Sequence, residues 1–511
     1  MPFAGEKGRK IGPPEGSFIL EKGGLGVKEY ENYINGKWSR STSGKTFQSL
    51  NPATGKSIGT FQASVKKDVE KAIESAEKAR EEWASVPAPK RGEYLFEISR
   101  LLKKNKEKLA ENMSEEMGKV LKETRGDVQE AIDVFEYMAG EGRRLFGHTT
   151  PSELKHKMAF TLRKPVGVVG LITPWNFPMA IPSWKISPAL ICGNTMVFKP
   201  SSDTPRTATQ LVEIIEEAGV PAGVVNMVTG SASDVGNEIV TNPRIRALSF
   251  TGSRETGEWI TQHAGIKKIG LELGGKNAII VMDDADIDLA VEGIVWGAFG
   301  TTGQRCTACS RVLVHEKIRK ELEEKLVKRT LKLRVGDGRN KNTDVGPLIN
   351  EKAVEKSIRY AALGRKEGKL VCGGKPLDTA GYFFEPTIFS HVKGSARIAQ
   401  EEIFGPILSM ITVKSLNEAV RVCNSVAYGL SSSIYTNDIA NAMHAIDKIE
   451  AGITYVNSST IGAEVHLPFG GVKQTGNGTR EAGIEGIHEF SETKTVYIDY
   501  SGKLQKAQGI D

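Results

Sequence analysis

The spacing of apolar residues changes along the chain. Between Val69 and Met113 they recur every three or four positions, which predicts amphipathic helices. From Pro165 the pattern becomes short apolar runs, VGVVGLI, TMVFKP, VVNMV, IRALSF and NAIIVM, separated by helical segments such as ATQLVEIIEEAG. After Cys306 a second series follows, RVLVH, ILSMITV, LSSSIYT and GITYVN. This alternation is typical of parallel sheets, so we predict an α/β protein with two parallel-sheet domains.

The two series of apolar runs set the expected domain limits. The boundary between the two domains is expected near Leu271 to Gly275, so the loop around Cys306 is expected to face a cleft between them, where ligand sites tend to lie. Residues 1–28 are rich in Gly, Pro and Lys and show no periodicity, which predicts a flexible N-terminal arm. The folded part is expected to begin near Tyr30.

Composition and charge narrow the classes of function. The chain has 511 residues, of which 39% are hydrophobic and 25% charged, as in ordinary globular proteins. Its net charge of +6 is spread over alternating Lys and Glu, so we expect no nucleic-acid partner. No apolar run reaches the roughly 18 residues of a membrane span, so no membrane partner is expected. Five cysteines without a secretory segment near Met1 indicate a cytoplasmic, reducing environment.

The stretch FGTTGQRCTACSR contains the candidate nucleophile, Cys306. A free thiol has a pKa near 8.5, so it needs an activating environment at neutral pH. Gly300 and Gly303 allow the backbone to approach a ligand, Arg305 places positive charge beside the sulfur, and nearby peptide N–H groups are candidates to face an oxyanion. Taken alone, the same cysteine also fits a buried structural thiol.

Three further motifs carry candidate chemistry. In PWNFP, Asn176 follows an apolar run, which places it at the carboxyl end of a parallel strand, where ligands bind; a plain turn residue is the alternative. FTGSRETG leads from a strand into a helix through glycine, an arrangement that binds phosphate, although it lacks the full GxGxxG spacing. In LELGGK, Glu272 has apolar neighbours, which suits a general base as well as a capping or packing role.

Taken together, the motifs resemble the aldehyde dehydrogenase superfamily from about Tyr30 to Tyr500. PWNFP, FKPS, FTGSRETG, LELGGK, GQRC, EEIFGP and PFGGVKQTG occur in the order of that family. The resemblance implies two Rossmann-related domains, a small β oligomerisation element, and assembly as a homodimer or homotetramer. Residues 29–145 and 164–271 would then bind NAD(P), residues 272–477 would form the catalytic domain, and residues 146–163 and 478–511 would form the oligomerisation element.

The resemblance also implies a reaction. Cys306 would attack a small-molecule aldehyde, and Asn176 with the Cys306 N–H group would hold the oxyanion. NAD or NADP would accept the hydride, and Glu272 would activate the water that hydrolyses the thioester. Lys199 completes the expected catalytic set. Two alternatives remain: a CoA-acylating semialdehyde dehydrogenase, which usually lacks the glutamate, and a non-catalytic relative, which would be expected to lose Cys306 or Glu272.

Cofactor residues follow from the same resemblance. Lys199 and Glu402 match positions that hold the riboses, and Phe404 matches a residue that packs near the nicotinamide. Strictly NAD-dependent relatives often carry glutamate where Ser202 stands, so we expect NADP to be used at least as well as NAD. The full expected set is Thr173, Pro174, Trp175, Lys199, Ser202, Gly230, Gly236, Phe250, Gly252, Ser253, Gly257, Leu273, Glu402 and Phe404.

For the substrate, the chain resembles two groups of semialdehyde dehydrogenases incompletely. The succinate-semialdehyde group places arginines at positions matching Trp184 and Gly300, and both are absent. The α-aminoadipic group, the antiquitins, binds the carboxylate and the ammonium of its substrate with an arginine and a glutamate. These two residues match Arg305 and Glu116, but the loop TIGAEVHLPFGG differs from the antiquitin loop. We expect aliphatic aldehydes, with a preference for semialdehydes bearing a distal carboxylate; Arg305 as a loop support is the alternative. The expected substrate residues are Phe177, Trp184, Arg305, Glu116 and Phe469.

Cys306 and Cys309 have CxxC spacing. A zinc site needs four ligands and the sequence offers no second pair, so no metal is expected. An inactivating disulfide between the two thiols stays open as an alternative.

Overall fold

The computed structural model describes residues 28–508, so nearly all of the predicted N-terminal arm, residues 1–27, lies outside the described residues. The helices are α1 Lys66–Ser85, α2 Ala88–Met117, α3 Leu121–Glu141, α4 Ala180–Cys192, α5 Pro205–Glu217, α6 Asn237–Thr241, α7 Arg254–His263, α8 Ile287–Phe299, α9 Arg319–Thr330, α10 Glu351–Glu367, α11 Arg397–Gln400, α12 Leu416–Asn424, α13 Ile439–Lys448 and α14 Gly483–Glu489. None of these helices is long and apolar enough to cross a membrane.

The strands are β1 Asn32–Ile34, β2 Lys37–Ser39, β3 Thr46–Leu50, β4 Ser57–Gln62, β5 Thr149–Pro151, β6 Lys157–Pro165, β7 Val168–Ile172, β8 Thr195–Lys199, β9 Val225–Met227, β10 Ala247–Thr251, β11 Lys268–Glu272, β12 Asn277–Val281, β13 Cys309–His315, β14 Lys369–Cys372, β15 Thr387–Ser390, β16 Ile407–Val413, β17 Tyr428–Gly429, β18 Ser431–Tyr435, β19 Ile453–Val456, β20 Val472–Lys473 and β21 Ser491–Asp499. They form three sheets of three or more strands and two short ribbons.

The first sheet has the order β11-β10-β7-β8-β9-β1-β2. Its five strands from β11 to β9 are parallel, as the buried apolar runs predicted, and β1 joins antiparallel to β9. The apolar stripes of α2 and α3 pack with α4 and α5 in the core on one face, and α1, α6 and α7 contribute to the core on the other. The strands β7, β8, β9 and β10 therefore have both faces covered, which explains their largely apolar sequences.

The second sheet has the order β14-β15-β16-β13-β12-β18-β19, and all neighbours except β14 and β15 are parallel. Helices α8 and α9 cover one face, and α10, α12 and α13 cover the other. The predicted architecture of two Rossmann-related sheets is confirmed. The chain crosses from the first sheet to the second between Glu272, the last residue of β11, and Asn277, the first of β12.

The third sheet is a small antiparallel one, β21-β6-β5. The whole of β6 pairs with β21, from Pro165 opposite Ser491 to Lys157 opposite Asp499. Helix α14, which precedes β21, packs instead on the first domain, where Gly486 lies against Pro188 of α4 and Met138 of α3. Of residues 478–511, it is therefore the strand β21 that joins the small sheet.

Candidate active site

The loop that carries Cys306 begins with an unusual backbone turn. After α8 ends, Thr301 and Thr302 adopt positive φ angles of 50° and 59°, and Gly303 follows at 69°. A Cβ atom on Gly303 would lie 2.4 Å from the Gly405 carbonyl oxygen, so glycine is required for this close approach. The turn directs the chain back toward the cleft, where Cys306 is partly exposed.

The backbone of Cys306 is fixed by the LELGGK segment and the residue that follows it. The Asn277 side chain donates hydrogen bonds to the carbonyl oxygens of Cys306 at 2.7 Å and Ala308 at 2.9 Å. A Cβ atom on Gly275 would lie 2.3 Å from that Cys306 oxygen, so the double glycine allows the two segments to pack. Burial, followed by the charge of nearby Glu272, raises the pKa of the Cys306 thiol to about 12. The resting sulfur is therefore protonated at neutral pH.

Asn176 lies beside the cysteine loop. It is buried just after β7, and its Nδ2 atom donates a hydrogen bond to the carbonyl oxygen of Gln304 at 3.1 Å. Gln304 comes two residues before Cys306, so the amide is tied to the segment that bears the thiol. An amide nitrogen carries two N–H donors, and the second is available to an oxyanion.

Glu272 lies at the end of β11 and is only 3% exposed. Neither of its carboxylate oxygens has a hydrogen-bond partner among residues 28–508. Burial raises its pKa well above the usual range, the charge of Glu481 raises it further, and the ammonium of Lys185 opposes the shift. A carboxyl group whose pKa is raised in this way is suited to act as a general base.

The charged neighbours of Glu272 were missed by sequence reasoning. Lys185 on α4 forms a buried ion pair with Glu481 and donates a hydrogen bond to the Ser249 hydroxyl at 2.8 Å. Burial, then the charge of Glu481, raises the pKa of neighbouring Glu489 to about 7. The signal available in the sequence was a single lysine within the otherwise uncharged helix AIPSWKISPALIC. Its partner 296 residues later has no local signature.

The FTGSRETG segment forms the strand-to-helix connection that was predicted. The Ser253 side chain caps the N-terminus of α7 by accepting a hydrogen bond from Thr256. A Cβ atom on Gly257 would lie 2.7 Å from Leu273, and one on Gly252 would lie 2.4 Å from the ring of Phe250. These six residues, which are predicted cofactor residues or their neighbours, therefore pack tightly together at the N-terminus of α7. A helix N-terminus attracts phosphate.

Lys199 ends strand β8 next to this corner. Its Nζ atom donates to the carbonyl oxygen of the following residue at 3.1 Å, and burial lowers its pKa to about 8. Thr173 donates its backbone N–H to the Lys199 carbonyl, and Gly236 lies where a Cβ atom would be 3.9 Å from the lysine side chain. The Ser202 hydroxyl donates to the Gly230 carbonyl oxygen at 3.1 Å.

Glu402 and Phe404 approach from the second domain. One Glu402 oxygen accepts the backbone N–H of Gly275 at 2.9 Å, and burial raises the pKa of this carboxyl. Phe404 has a positive φ of 59°, and its ring meets Trp175 edge to face at 5.5 Å between centroids. Trp175 and Pro174 belong to the segment after β7, so this contact joins the two domains.

These residues fit a nicotinamide dinucleotide. The ammonium of Lys199 makes a single hydrogen bond within the part of the chain that the structure describes, so two of its three donors are available. Glu402 similarly keeps one carboxylate oxygen without a hydrogen bond there. The donor, the acceptor and the capped helix α7 are the groups that ribose hydroxyls and a pyrophosphate need.

The predicted substrate wall consists of aromatic rings with two cations. The ring of Phe177 lies between Lys119 and Arg305, with distances of 3.4 Å from Nζ and 5.2 Å from Cζ to the ring centroid. Trp184 and Phe469 meet edge to face at 4.9 Å. The structure thus places two of the predicted substrate residues, Phe177 and Arg305, in contact beside the cysteine loop.

Arg305 is held firmly by its neighbours. Its Nε atom donates to the Thr301 hydroxyl at 2.9 Å, and Nη2 lies 3.1 Å from a carboxylate oxygen of Glu123. Glu123 also accepts the backbone N–H of Thr301 at 3.0 Å. A Cβ atom on Gly300 would lie 3.1 Å from the same carboxylate. Arg305 therefore supports the cysteine loop through these contacts. Its Nη1 atom makes no hydrogen bond to residues 28–508.

The prediction that Glu116 contacts the substrate is wrong. Glu116 is fully buried and accepts hydrogen bonds from the backbone N–H groups of Arg206 at 2.7 Å and Thr207 at 2.8 Å, and from the Thr207 hydroxyl at 2.6 Å. Both of its oxygens are used at the N-terminus of α5, where a carboxylate is favoured. The glutamate beside Arg305 is Glu123, seven residues later.

The remaining cysteines offer no metal site. Within residues 28–508, no group of three or more His, Cys, Asp or Glu side chains could hold a metal ion. All five cysteines are free thiols, and the Cys309 thiol is buried against the Arg311 carbonyl oxygen.

Comparison with known proteins identifies the family. The model of the aldehyde dehydrogenase family matches residues 38–496. The chain is 41% identical to alpha-ketoglutaric semialdehyde dehydrogenase of Bacillus subtilis, covering 92% of this chain and 98% of that protein. It is 39% identical to the NADP(+) succinate-semialdehyde dehydrogenase of Escherichia coli, covering 91% and 97%. Betaine aldehyde dehydrogenase of Staphylococcus aureus, solved with NAD+, superposes with a TM-score of 0.91 at 35% identity, covering 93% and 96%.

The chain belongs to the aldehyde dehydrogenase family, as its motifs predicted. It is an NAD(P)-dependent oxidoreductase that oxidises a small-molecule aldehyde to a carboxylic acid by the cysteine mechanism of that family. The expectations of fold class, reaction and cofactor are confirmed.

Proposed function

We propose that Cys306 and Asn176 carry out the first chemical step. The Cys306 thiol gives its proton to water in the cleft, its sulfur then attacks the aldehyde carbon, and the Asn176 amide and the Cys306 backbone N–H stabilise the oxyanion. The hydrogen bond from Asn176 to Gln304 supports this role because it keeps the amide beside the nucleophile. Collapse of this adduct leaves an acyl group on the sulfur, and the nicotinamide cofactor supplies the hydride acceptor.

Glu272 acts in the second step. Its carboxylate takes a proton from a water molecule, which adds to the thioester carbon, and the acid leaves as the thiolate departs. Two features support this assignment: both carboxylate oxygens are free of hydrogen bonds among the described residues, and the pKa is raised. Lys199 and Glu402 would hold the riboses of the cofactor, which accepts the hydride when bound.

We propose that the substrate is a semialdehyde with a distal carboxylate. The observation that carries this proposal is the position of Arg305, one residue before Cys306, with its guanidinium over the ring of Phe177. The contacts to Thr301 and Glu123 use Nε and Nη2, so the two N–H donors of Nη1 are available to a carboxylate. The relatives from Bacillus subtilis and Escherichia coli are both named for such semialdehydes.

Steady-state kinetics of Arg305→Ala test this substrate assignment. A charge-assisted contact contributes about 1.5 to 3 kcal/mol, so KM for a carboxylate-bearing semialdehyde should rise at least tenfold more than KM for a neutral aldehyde of equal length. Arg359→Ala, which removes an exposed arginine, is the matched control and should change neither value. Equal losses for both substrates would show that Arg305 only supports the loop.

We further propose a homodimer or homotetramer that uses the third sheet, and a cytoplasmic location. Exposed apolar side chains on or beside this sheet, Phe146, Met158, Leu162, Tyr497 and Ile498, support an interface. Light scattering should give two or four copies, and Ile498→Asp should lower that number. A monomeric wild type would contradict the assembly. Five free thiols support the reducing location.

A further inference from the structure

A small cavity lies in the second domain, near the start of strands β12, β13 and β18. Its volume is about 220 Å³, including its opening to solvent. Two cationic residues, Lys276 and Arg311, line it together with Asn277 and Tyr428. Because the cavity is open to solvent, a small ion can enter it.

The ammonium group of Lys276 is buried without a partner. The residue is 1% exposed, and its Nζ atom makes no hydrogen bond with residues 28–508. Burial of an ammonium group is costly unless another group replaces the water that it loses. The cavity beside Lys276 is where such a group would fit.

Arg311 adds a second buried positive charge. Its Nε, Nη1 and Nη2 atoms donate to the carbonyl oxygens of Lys276, Val422 and Cys423, each at 3.0 Å. These acceptors carry no charge, and neither Arg311 nor Lys276 forms an ion pair within the part of the chain that the structure describes. A guanidinium has five N–H donors, so two remain. Buried charges are normally paired, and these two are not.

The surrounding groups do not supply the missing negative charge. The titratable groups around Lys276 and the cavity are Arg311, Lys356, Glu401, Glu402, Cys423, Tyr428 and Glu450. Burial, and next the charge of Arg311, lowers the pKa of Lys276 to about 7, although Glu402 and Glu401 oppose the shift. The carboxylate of Glu450 pairs with Lys473. The wall of the cavity therefore has an excess of positive charge.

We propose that this cavity is a binding site for a small inorganic anion such as chloride, held by the Lys276 ammonium and the remaining N–H donors of Arg311. The phenol of Tyr428 lies in the same wall and carries a further O–H donor. One negative charge is enough, since Arg311 already donates to three carbonyl oxygens. Neither Lys276 nor Arg311 belongs to the expected substrate or cofactor residues, so this inference does not depend on the proposed function.

The anion site shares Asn277 with the cysteine loop. The amide nitrogen of Asn277 holds the carbonyl oxygens of Cys306 and Ala308, and its amide oxygen accepts the backbone N–H of Ser431 at 2.9 Å. Asn277 and Ser431 both line the cavity. An anion that binds here stabilises the native protein, because the unfolded chain has no such site.

Bromide, which scatters X-rays anomalously, tests the site directly in crystals of the full chain. A bromide peak is expected in the cavity, in contact with Nζ of Lys276. Lys276→Met keeps a side chain of similar length without the charge and should lose the peak. Lys448→Met, which removes an exposed lysine at the end of α13, is the control and should keep it. A wild-type cavity that holds only water would overturn the inference, as would a peak that persists in Lys276→Met.

Thermal unfolding tests whether the anion also binds in solution. At about pH 6.5, where Lys276 is mostly protonated, the wild-type midpoint should be at least about 2 °C higher in sodium chloride than in sodium gluconate of equal ionic strength. At about pH 8.5 the amine is mostly neutral, so this difference should fall by at least half. Lys276→Met should have equal midpoints in the two salts, and Lys448→Met should behave as the wild type.

Two outcomes of the unfolding experiment would overturn the inference. Equal wild-type midpoints in the two salts would show binding at crystal concentration only. A difference that Lys276→Met retains would show a general effect of the salts on the protein. The bromide peak and the salt comparison on the wild type do not require the variant to fold, so they decide the question even if Lys276→Met does not fold.

Discussion

Arg305 and Glu123 form an ion pair of 3.1 Å that joins the cysteine loop to the first turn of α3. Both side chains are about one-tenth exposed, so the pair is largely buried. The residue expected to read a substrate charge therefore also fixes the turn at Thr301. Loop support and substrate recognition are compatible here, because a guanidinium has more donors than the loop uses.

Glu116 is predicted to contribute to stability and not to specificity. Glu116→Ala leaves two buried N–H groups at the start of α5 without an acceptor, which should lower the free energy of unfolding by about 2 kcal/mol. A thermal unfolding scan at fixed protein concentration should show a lower midpoint. The KM ratio between a carboxylate-bearing semialdehyde and a neutral aldehyde should equal that of the wild type. A changed ratio with an unchanged midpoint would restore Glu116 to the substrate site.

Cofactor choice is predicted to depend on Ser202. Its hydroxyl bonds to the Gly230 carbonyl oxygen and carries no charge, so it does not repel a 2′-phosphate. We expect comparable kcat/KM for NADP and NAD. Ser202→Glu should lower kcat/KM for NADP at least tenfold and leave that for NAD within about threefold. An NAD preference of more than about a hundredfold in the wild type, roughly 2.7 kcal/mol, would contradict this account.

The sequence was sufficient for the features that depend on local pattern. Two series of short apolar runs, one before and one after Cys306, predicted two parallel sheets, since strands covered on both faces are rich in apolar residues. The order of the motifs predicted the family. Asn176 follows β7 and Glu272 ends β11, so both lie at the carboxyl edge of the first sheet, near the cysteine loop.

What the sequence did not reveal depends on contacts between distant segments. Glu116 lies in the last turn of α2 and Glu123 in the first turn of α3, and the structure shows that Glu116 is bound to α5 while Glu123 reaches Arg305. The pair of Lys185 and Glu481 spans 296 residues. Neither of these contacts can be predicted from residue spacing or composition, because each depends on how the helices pack.

Glu481 is predicted to set the pH at which the general base works. Its charge raises the pKa of Glu272, and Lys185 lowers it. Glu481→Gln removes the like charge and frees the lysine ammonium, so both changes lower the pKa of Glu272. Because the base acts only when deprotonated, the acid limb of the kcat profile should move to lower pH. A limb that moves to higher pH, or stays in place, would show that Glu272 does not sense Glu481.

The most direct test of the catalytic account is rapid mixing of Glu272→Gln with substrate and NADP. Gln keeps the shape but cannot take a proton, so the variant should produce a burst of about one reduced cofactor per active site, followed by slow turnover. Mass spectrometry should detect the acyl group on Cys306, and Cys306→Ser should show no burst. The wild type should turn over without CoA. Steady-state turnover in Glu272→Gln equal to the wild type would contradict the role assigned to Glu272.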